Sequence, residues 1–219
     1  MTRWLLLGGV IGPVVFVAAF LVLGATREGY DAARTMVSQL SLGDQGWQMI
    51  AAFVVGGVLI AGFAVGLRGA LGGGPGSTWG PILVGVAGVG LVVAGVFVTD
   101  PALGYPAGAP TGFPTASSSH GVIHLLAALG VFVGLPAAEI VMARRFRADG
   151  NGGWALYSWL TAGVGLAAYA LAVAGPSGVD ALLPVVGIMQ RISIVVGFGW
   201  IAQLAWHVSR GSAAAAAVA

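Results

Sequence analysis

Six apolar stretches, each about long enough to cross a bilayer, alternate with short polar segments along this chain. They are Trp4–Leu23, Gln48–Leu67, Pro81–Val98, Gly121–Met142, Trp154–Ala174 and Leu182–Trp206. A hydrocarbon core of ~30 Å is spanned by about 20 residues of helix. Backbone polar groups find no partners in lipid, so each stretch is expected to be helical. A membrane barrel would need short segments of alternating polarity, and the sequence has none. The predicted fold is all-α, a polytopic bundle of six transmembrane helices. It forms one domain over 1–211, with a flexible low-complexity tail at 212–219. The first stretch follows Arg3 and ends near Gly24-Ala25, as a signal peptide might. Its apolar core is longer than the roughly 7–15 residues of a signal core, so it reads as an uncleaved span.

The polar segments set the orientation. With the N-terminus inside, inner segments carry Arg3, Arg68, Arg144, Arg145, Arg147 and Arg210, and outer ones only Arg27 and Arg34. Basic residues accumulate on the cytoplasmic side, so both termini are expected in the cytoplasm of a multi-pass cell-membrane protein. Trp4, Trp79, Trp154 and Trp206 fall near the inner boundary and Trp47 near the outer one, as an aromatic belt requires. Met36, Val37 and Leu40 in the first outer loop have helical spacing, which predicts a short helix on the membrane or over the bundle mouth. The outer loop 99–119 is punctuated by Pro and Gly and is expected to be an irregular lid. Small-residue pairs Gly8/Gly12, Gly57/Ala61 and Gly163/Ala167 predict close helix contacts, and Pro13, Pro136 and Pro184 predict kinks or helix starts.

Composition sharpens the class. The chain is 58% hydrophobic and 7% charged, against about 25% charged for a soluble domain, so lipid must be its main solvent. The net charge of +2 comes from arginines in loops, which orient helices and do not call for nucleic acid. There is no Cys and no Lys. That excludes disulfides, thiolate chemistry, Schiff bases and a phosphate loop ending in Gly-Lys-Ser/Thr, including at the Gly-rich segment 71–78.

The remaining ionisable residues define candidate chemistry. His120 and His124, one helical turn apart, share a face, and Asp100 ends the third span on the same side. Two His and one Asp with a water would make an open divalent-metal site, such as Zn. The same three residues also suit acid–base catalysis, or plain capping and interhelical hydrogen bonds. Asp100 follows the end of a helix, where the dipole disfavours a carboxylate, so a compensating partner is expected. Arg191 is expected about nine residues into the last span. Burying it there costs at least ~2.5 kcal/mol, so a partner is required. Asp100 is the first choice, with His124 as the alternative. The pair would clamp helices, or Arg191 and Gln190 would anchor a ligand's polar group. Tyr30, Asp31, Arg34 and Ser38 are expected over the bundle mouth, with Arg34 and Ser38 on one helical face. A Ser38–His120–Asp100 arrangement is a further option. Glu139 lies toward the inner boundary, where snorkelling or contact with Arg144 would account for it.

The ordered set Gly29-Tyr30-Asp31, Ser38-Gln39-Leu40, Gly46-Trp47, Thr99-Asp100-Pro101, Gly104-Tyr105-Pro106 and His120-Gly121-Val122-Ile123-His124 resembles the prokaryotic family called domain of unknown function 998. The resemblance covers nearly the whole chain. It implies a six-helix membrane protein with these motifs on the outer side, and it brings no established activity. The Asp plus His-x-x-x-His pattern is also similar to that of ceramidase-like membrane hydrolases, which hold zinc. The third histidine of that pattern is unmatched, because His207 lies at the opposite boundary.

The functional expectation is an integral membrane enzyme with an outward-facing polar pocket. It would act on a membrane lipid or other apolar small molecule by acid–base or metal-assisted chemistry, either hydrolysis or isomerisation/cyclisation. A small-molecule transporter or ligand-binding protein is the alternative, as a homodimer if it transports. A scaffold or accessory subunit is the third reading.

Overall fold

The computed structural model describes residues 2–218, with side chains from 4 to 211. The low-complexity end expected at 212–219 therefore has its side chains, and Ala219 entirely, outside the described residues. Seven α-helices form among the described residues: α1 (Thr2–Thr26), α2 (Gly46–Ala70), α3 (Trp79–Val96), α4 (Ser119–Phe132), α5 (Gly134–Ala148), α6 (Gly152–Ala174) and α7 (Val186–Val218). Two 3-10 turns, Val37–Ser41 and Asp180–Val185, complete the regular structure. Six segments are long and apolar enough to cross a membrane, with α4 and α5 together forming the fourth.

Pro136 explains why that fourth span is two helices. It lacks an N–H, and its ring would crowd the carbonyl of Phe132 one turn back. The chain leaves α-helical geometry at Val133 and resumes at Gly134.

The helices pack as a ring in chain order, α1 on α2, α2 on α3, α3 on both α4 and α5, α5 on α6, α6 on α7 and α7 back on α1. Helices in lipid gain no hydrophobic drive to associate, so small residues that allow close approach matter most. A Cβ at Gly57 would lie 2.6 Å from the Gly88 carbonyl, and one at Gly88 would lie 2.6 Å from the Ala61 nitrogen. Gly8 and Gly12 likewise meet the backbone carbonyls of Leu59 and Gly56. The Gly163/Ala167 pair is different. Both residues are exposed, and nothing lies within 4 Å of a Cβ at Gly163, so that pair faces outward and packs no helix.

Aromatic rings fill the centre. Phe16 contacts Phe20, Phe53 and Phe198 at 4.9–5.9 Å between ring centroids. The buried Trp200 indole donates to Ser158 Oγ at 2.9 Å, tying α7 to α6. Trp4, Trp47 and Trp79 are exposed in the first turns of their helices and Trp206 is exposed within α7, as an interfacial belt would be. Trp154 instead packs on Phe146 and His207.

The two ends of the bundle differ. One carries the connections 71–78 and 149–151. The other carries the long loops after α1 and α3 and the 3-10 turn before α7, and those loops fold inward. All five residues of Val37–Ser41 are buried, so the segment plugs the bundle mouth and does not lie on a membrane surface. It is a 3-10 turn that begins at Val37, so Arg34 and Ser38 do not share a helical face as expected.

Gly88→Ala is expected to destabilise the protein by roughly 1–3 kcal/mol, because the α2–α3 backbones must separate. Gly163→Ala is expected to be neutral or stabilising by up to about 1 kcal/mol, through helix propensity alone. Thermal unfolding of both variants in lipid nanodiscs checks the contrast.

Candidate functional site

The loops at this end are held by side chains that satisfy their carbonyls. Arg191 lies in the second turn of α7. Its Nη1 donates to the Thr35 carbonyl at 2.9 Å and to its own helix at Gly187, 3.0 Å away. Its Nη2 donates to the Tyr30 hydroxyl at 2.5 Å, and the guanidinium lies over the rings of Phe20 and Tyr30. The Tyr30 hydroxyl in turn reaches the carbonyls of Thr35 and Met36. Gln190 Oε1 accepts from the Val37 N–H at 2.7 Å, and the Ile188 N–H donates to the Ala33 carbonyl. Arg27 does similar work from the end of α1, donating to the carbonyls of Leu40, Leu42 and Gln45.

The expected Arg191–Asp100 pair is therefore absent. Arg191 spends its donors on the loop 30–36. Asp100 is bound elsewhere: its Oδ2 accepts from the Ser118 N–H at 2.9 Å and its Oδ1 from the Ser118 hydroxyl at 2.6 Å. Ser118 is the N-cap of α4, its Oγ accepting from the Gly121 N–H at 3.0 Å. The compensation required for a carboxylate after α3 thus comes from the positive end of the α4 dipole. Gly121 makes this approach possible, since any Cβ there would collide with the Asp100 carboxylate.

His124 is buried one turn further along α4. Its Nδ1 lies 2.9 Å from the carbonyls of both Ala94 and Phe97. These are among the unpaired carbonyls at the end of α3, so Nδ1 must carry the hydrogen and Nε2 is left as the basic atom. His120 is exposed, with its ring edge-on to Phe97 at 5.3 Å. The expected metal triad of His120, His124 and Asp100 is not assembled. Each member is engaged separately, and among the described residues no group of three His, Asp or Glu side chains is placed to hold a metal. The Ser38–His120–Asp100 arrangement is not formed either: Asp100 is bound to Ser118, and the exposed His120 packs on Phe97.

Between these groups lies a cavity of about 840 Å³. Phe16, Phe53, Leu91, Ile194 and Phe198 form its inner wall. Ser38, Gln39, Asp100, Ser117, His124 and Gln190 form a polar crown at the loop end. Two crown groups lack partners in the fold. Gln39 donates its amide to the Asp100 carbonyl at 3.2 Å, but its Oε1 is buried without a hydrogen bond. Gln190 has used its Oε1 on Val37, leaving its NH₂ for the cavity. Among the described residues no arginine lines the cavity. Tyr30, Arg34 and Arg191 build the outer frame of the mouth, and Arg34 Nε is itself buried without a partner.

One side of the cavity opens. α4 packs against α3 and leaves a gap toward α6. The exposed Leu125, Leu126 and Leu129 of α4 and Ala170 of α6 flank it. Phe132 stacks on Tyr169 at 4.1 Å with rings 3° from parallel and closes its lower end. Phe113, Pro114 and Ser117 of the loop after α3 close the top. That loop has no helix, as expected, and it is partly anchored. Ala102, Leu103 and Tyr105 are buried, and Tyr105 packs edge-on against Tyr30.

Gln39 and Ser117 belong to the crown but not to the set expected from sequence. A polar amide between Val37 and Leu40, in a segment of apolar spacing, is the sequence signal for Gln39; Ser117 lies in a loop of serines that singles out none of them. Glu139 also departs from expectation. It is 1% exposed and has no contact with Arg144, so it does not snorkel.

Burial pushes the Tyr30 hydroxyl up to about 12 from 10.0, against the opposing pull of the Arg191 charge. Folding therefore favours the protonated phenol. That contribution is complete below about pH 10 and is lost as pH rises toward 12. Tyr30→Phe is expected to cost roughly 1–3 kcal/mol at neutral pH by leaving buried groups unpaired. It should also remove this alkaline loss, which unfolding curves between neutral pH and pH 12 measure.

The family model described as protein of unknown function (DUF998) matches residues 10–207. No curated protein and no solved structure matches the chain. The match runs from within the first span to within the last and includes the whole crown, and the chain belongs to this family of membrane proteins of unknown function.

Proposed function

We propose that the protein takes an amphipathic, lipid-sized molecule sideways from the bilayer and performs acid–base chemistry on its polar end. The observation that supports this most is the cavity itself, an apolar chamber flanked by exposed leucines of α4 and crowned by polar side chains. Its volume lies within the ~300–1,000 Å³ of small-molecule sites. The loop-rich end is taken as the outer face of the cell membrane, from the arginine distribution.

The crown favours a neutral head group. It contains no cationic side chain to neutralise a phosphate, and its carboxylate is already satisfied by Ser118. Gln190 can donate its amide to a carbonyl or hydroxyl oxygen of the ligand, since its Oε1 is taken by the Val37 N–H. His124 Nε2 would take the proton of a hydroxyl or of water, becoming imidazolium. The two carbonyls at Nδ1, at the negative end of α3, would stabilise that charge. The proton would return to the leaving or rearranged group. Hydrolysis and isomerisation or cyclisation of a neutral lipid share this step.

The test uses protein purified in nanodiscs with membrane lipid extract. Bound molecules are identified by native mass spectrometry and products by chromatography. His124→Gln should retain the bound lipid and lower turnover about 10²–10⁴-fold. Leu129→Trp, at the lateral gap, should lower occupancy. Retention of lipid with no product from the wild type would make the protein a lipid binder. Equal lipid content in the wild type and Leu129→Trp would remove the cavity from the account.

A further inference from the structure

Beneath the cavity is a second chamber of about 10 Å³. Val131, Phe132, Ile194 and Phe198 line both, so the floor of one is the roof of the other. Among the described residues Glu139 of α5 is the one ionisable residue that lines it. The side chain is 1% exposed, and neither carboxyl oxygen has a hydrogen-bond partner. An ionised carboxylate only accepts hydrogen bonds. Enclosed without a donor or a counter-charge, it is costly enough that such groups neutralise instead.

The surroundings offer an acceptor. Thr161 of α6 lines the same chamber. Its hydroxyl hydrogen is directed at the Tyr157 and Ser158 carbonyls, 3.1 Å from each, so its oxygen is left to accept. Ser193, Gly165 and Gly197 complete the polar and small side of the wall. A Cβ at Gly197 would sit 3.9 Å from Glu139 Oε1 and 2.8 Å from Leu135 Cδ2, so glycine there preserves the space.

Among the described residues no cationic side chain lines the chamber. α3 has no ionisable side chain. On α6 the nearest titratable group is Tyr157, whose hydroxyl accepts from Gln203 of α7 at 2.6 Å. On α7, His207 packs on Phe146 and Trp154. On α4, His124 is bound to carbonyls above the floor. On α5 itself, Arg145 is held by the carbonyls of Leu71, Gly73 and Pro75 and by Asp149.

We propose that Glu139 is a proton-binding site. In the closed bundle its carboxyl stays protonated, and a small turn of the side chain lets the O–H donate to Thr161 Oγ1 across the α5–α6 interface. When Ile194 and Phe198 move apart, water from the cavity enters. The O–H bond then breaks, the proton passes to water, and the carboxylate left behind is hydrated. Opening of the floor and loss of the proton are thereby linked. This holds whatever molecule occupies the cavity above.

Infrared spectroscopy of the full chain in nanodiscs tests it. Glutamate occurs only at positions 28 and 139, and Glu28 is exposed. Isotope-labelled glutamate therefore distinguishes the buried group even if a variant does not fold. At neutral pH, where a solvated glutamate with its usual value near ~4.3 is ionised, one labelled site should show the C=O stretch of a protonated carboxyl. Glu139→Gln should remove that band, and Thr161→Val should shift it. Two ionised carboxylate signals at neutral pH would overturn the proposal. So would loss of the protonated band on adding sodium at fixed pH, which would make the chamber a metal-cation site.

Discussion

A loop that folds back into a membrane bundle brings backbone carbonyls to a place where water cannot serve them. The chain answers with guanidinium groups. Arg191 holds the 30–36 segment against α7 and Arg27 holds the 40–45 segment against α1. An arginine has five donors in a rigid fork and no accessible neutral form, so one side chain can serve several carbonyls at once. Without these contacts the Val37–Ser41 turn could not stay buried. The mouth of the cavity, including Ser38 and Gln39, is built on that turn.

Helix ends supply the second device. The end of α3 and the start of α4 both expose unpaired backbone groups, and the two are joined by polar side chains in opposite senses. His124 donates to the carbonyls of α3, and Asp100 accepts at the amino end of α4. Each residue sits where the local dipole favours the charge it would carry. The crown therefore owes its geometry to capping, and any chemistry there uses the atoms that capping leaves over.

The six spans were legible because lipid imposes one polarity and a minimum length on every crossing helix, while their ends run up to six residues beyond the apolar stretches. The concentration of Asp100, His124 and Gln190 near one chamber was legible from their shared end of the bundle. Partner choice was not. Arg191 was expected to seek the opposite charge, yet backbone carbonyls brought in by a distant loop outcompeted Asp100. A sequence shows side-chain charges plainly and conceals the carbonyl of Thr35. The same limit applies to Glu139, where proximity to Arg144 in sequence outweighed the inward face that α5 presents after its break at Val133. The Gly163/Ala167 pair misled because spacing alone does not say which side of a helix meets a neighbour.

The gap between α4 and α6 has a consequence for selectivity. On the proposed reading the slot communicates with bilayer hydrocarbon, and acyl chains, being its solvent there, would fill it as a matter of course. Any particular occupant competes with the bulk leaflet, and its concentration is properly its mole fraction there, not its molarity in water. Walls of Leu, Phe and Val treat all such chains nearly alike, so discrimination falls to the handful of unbonded polar atoms at the top.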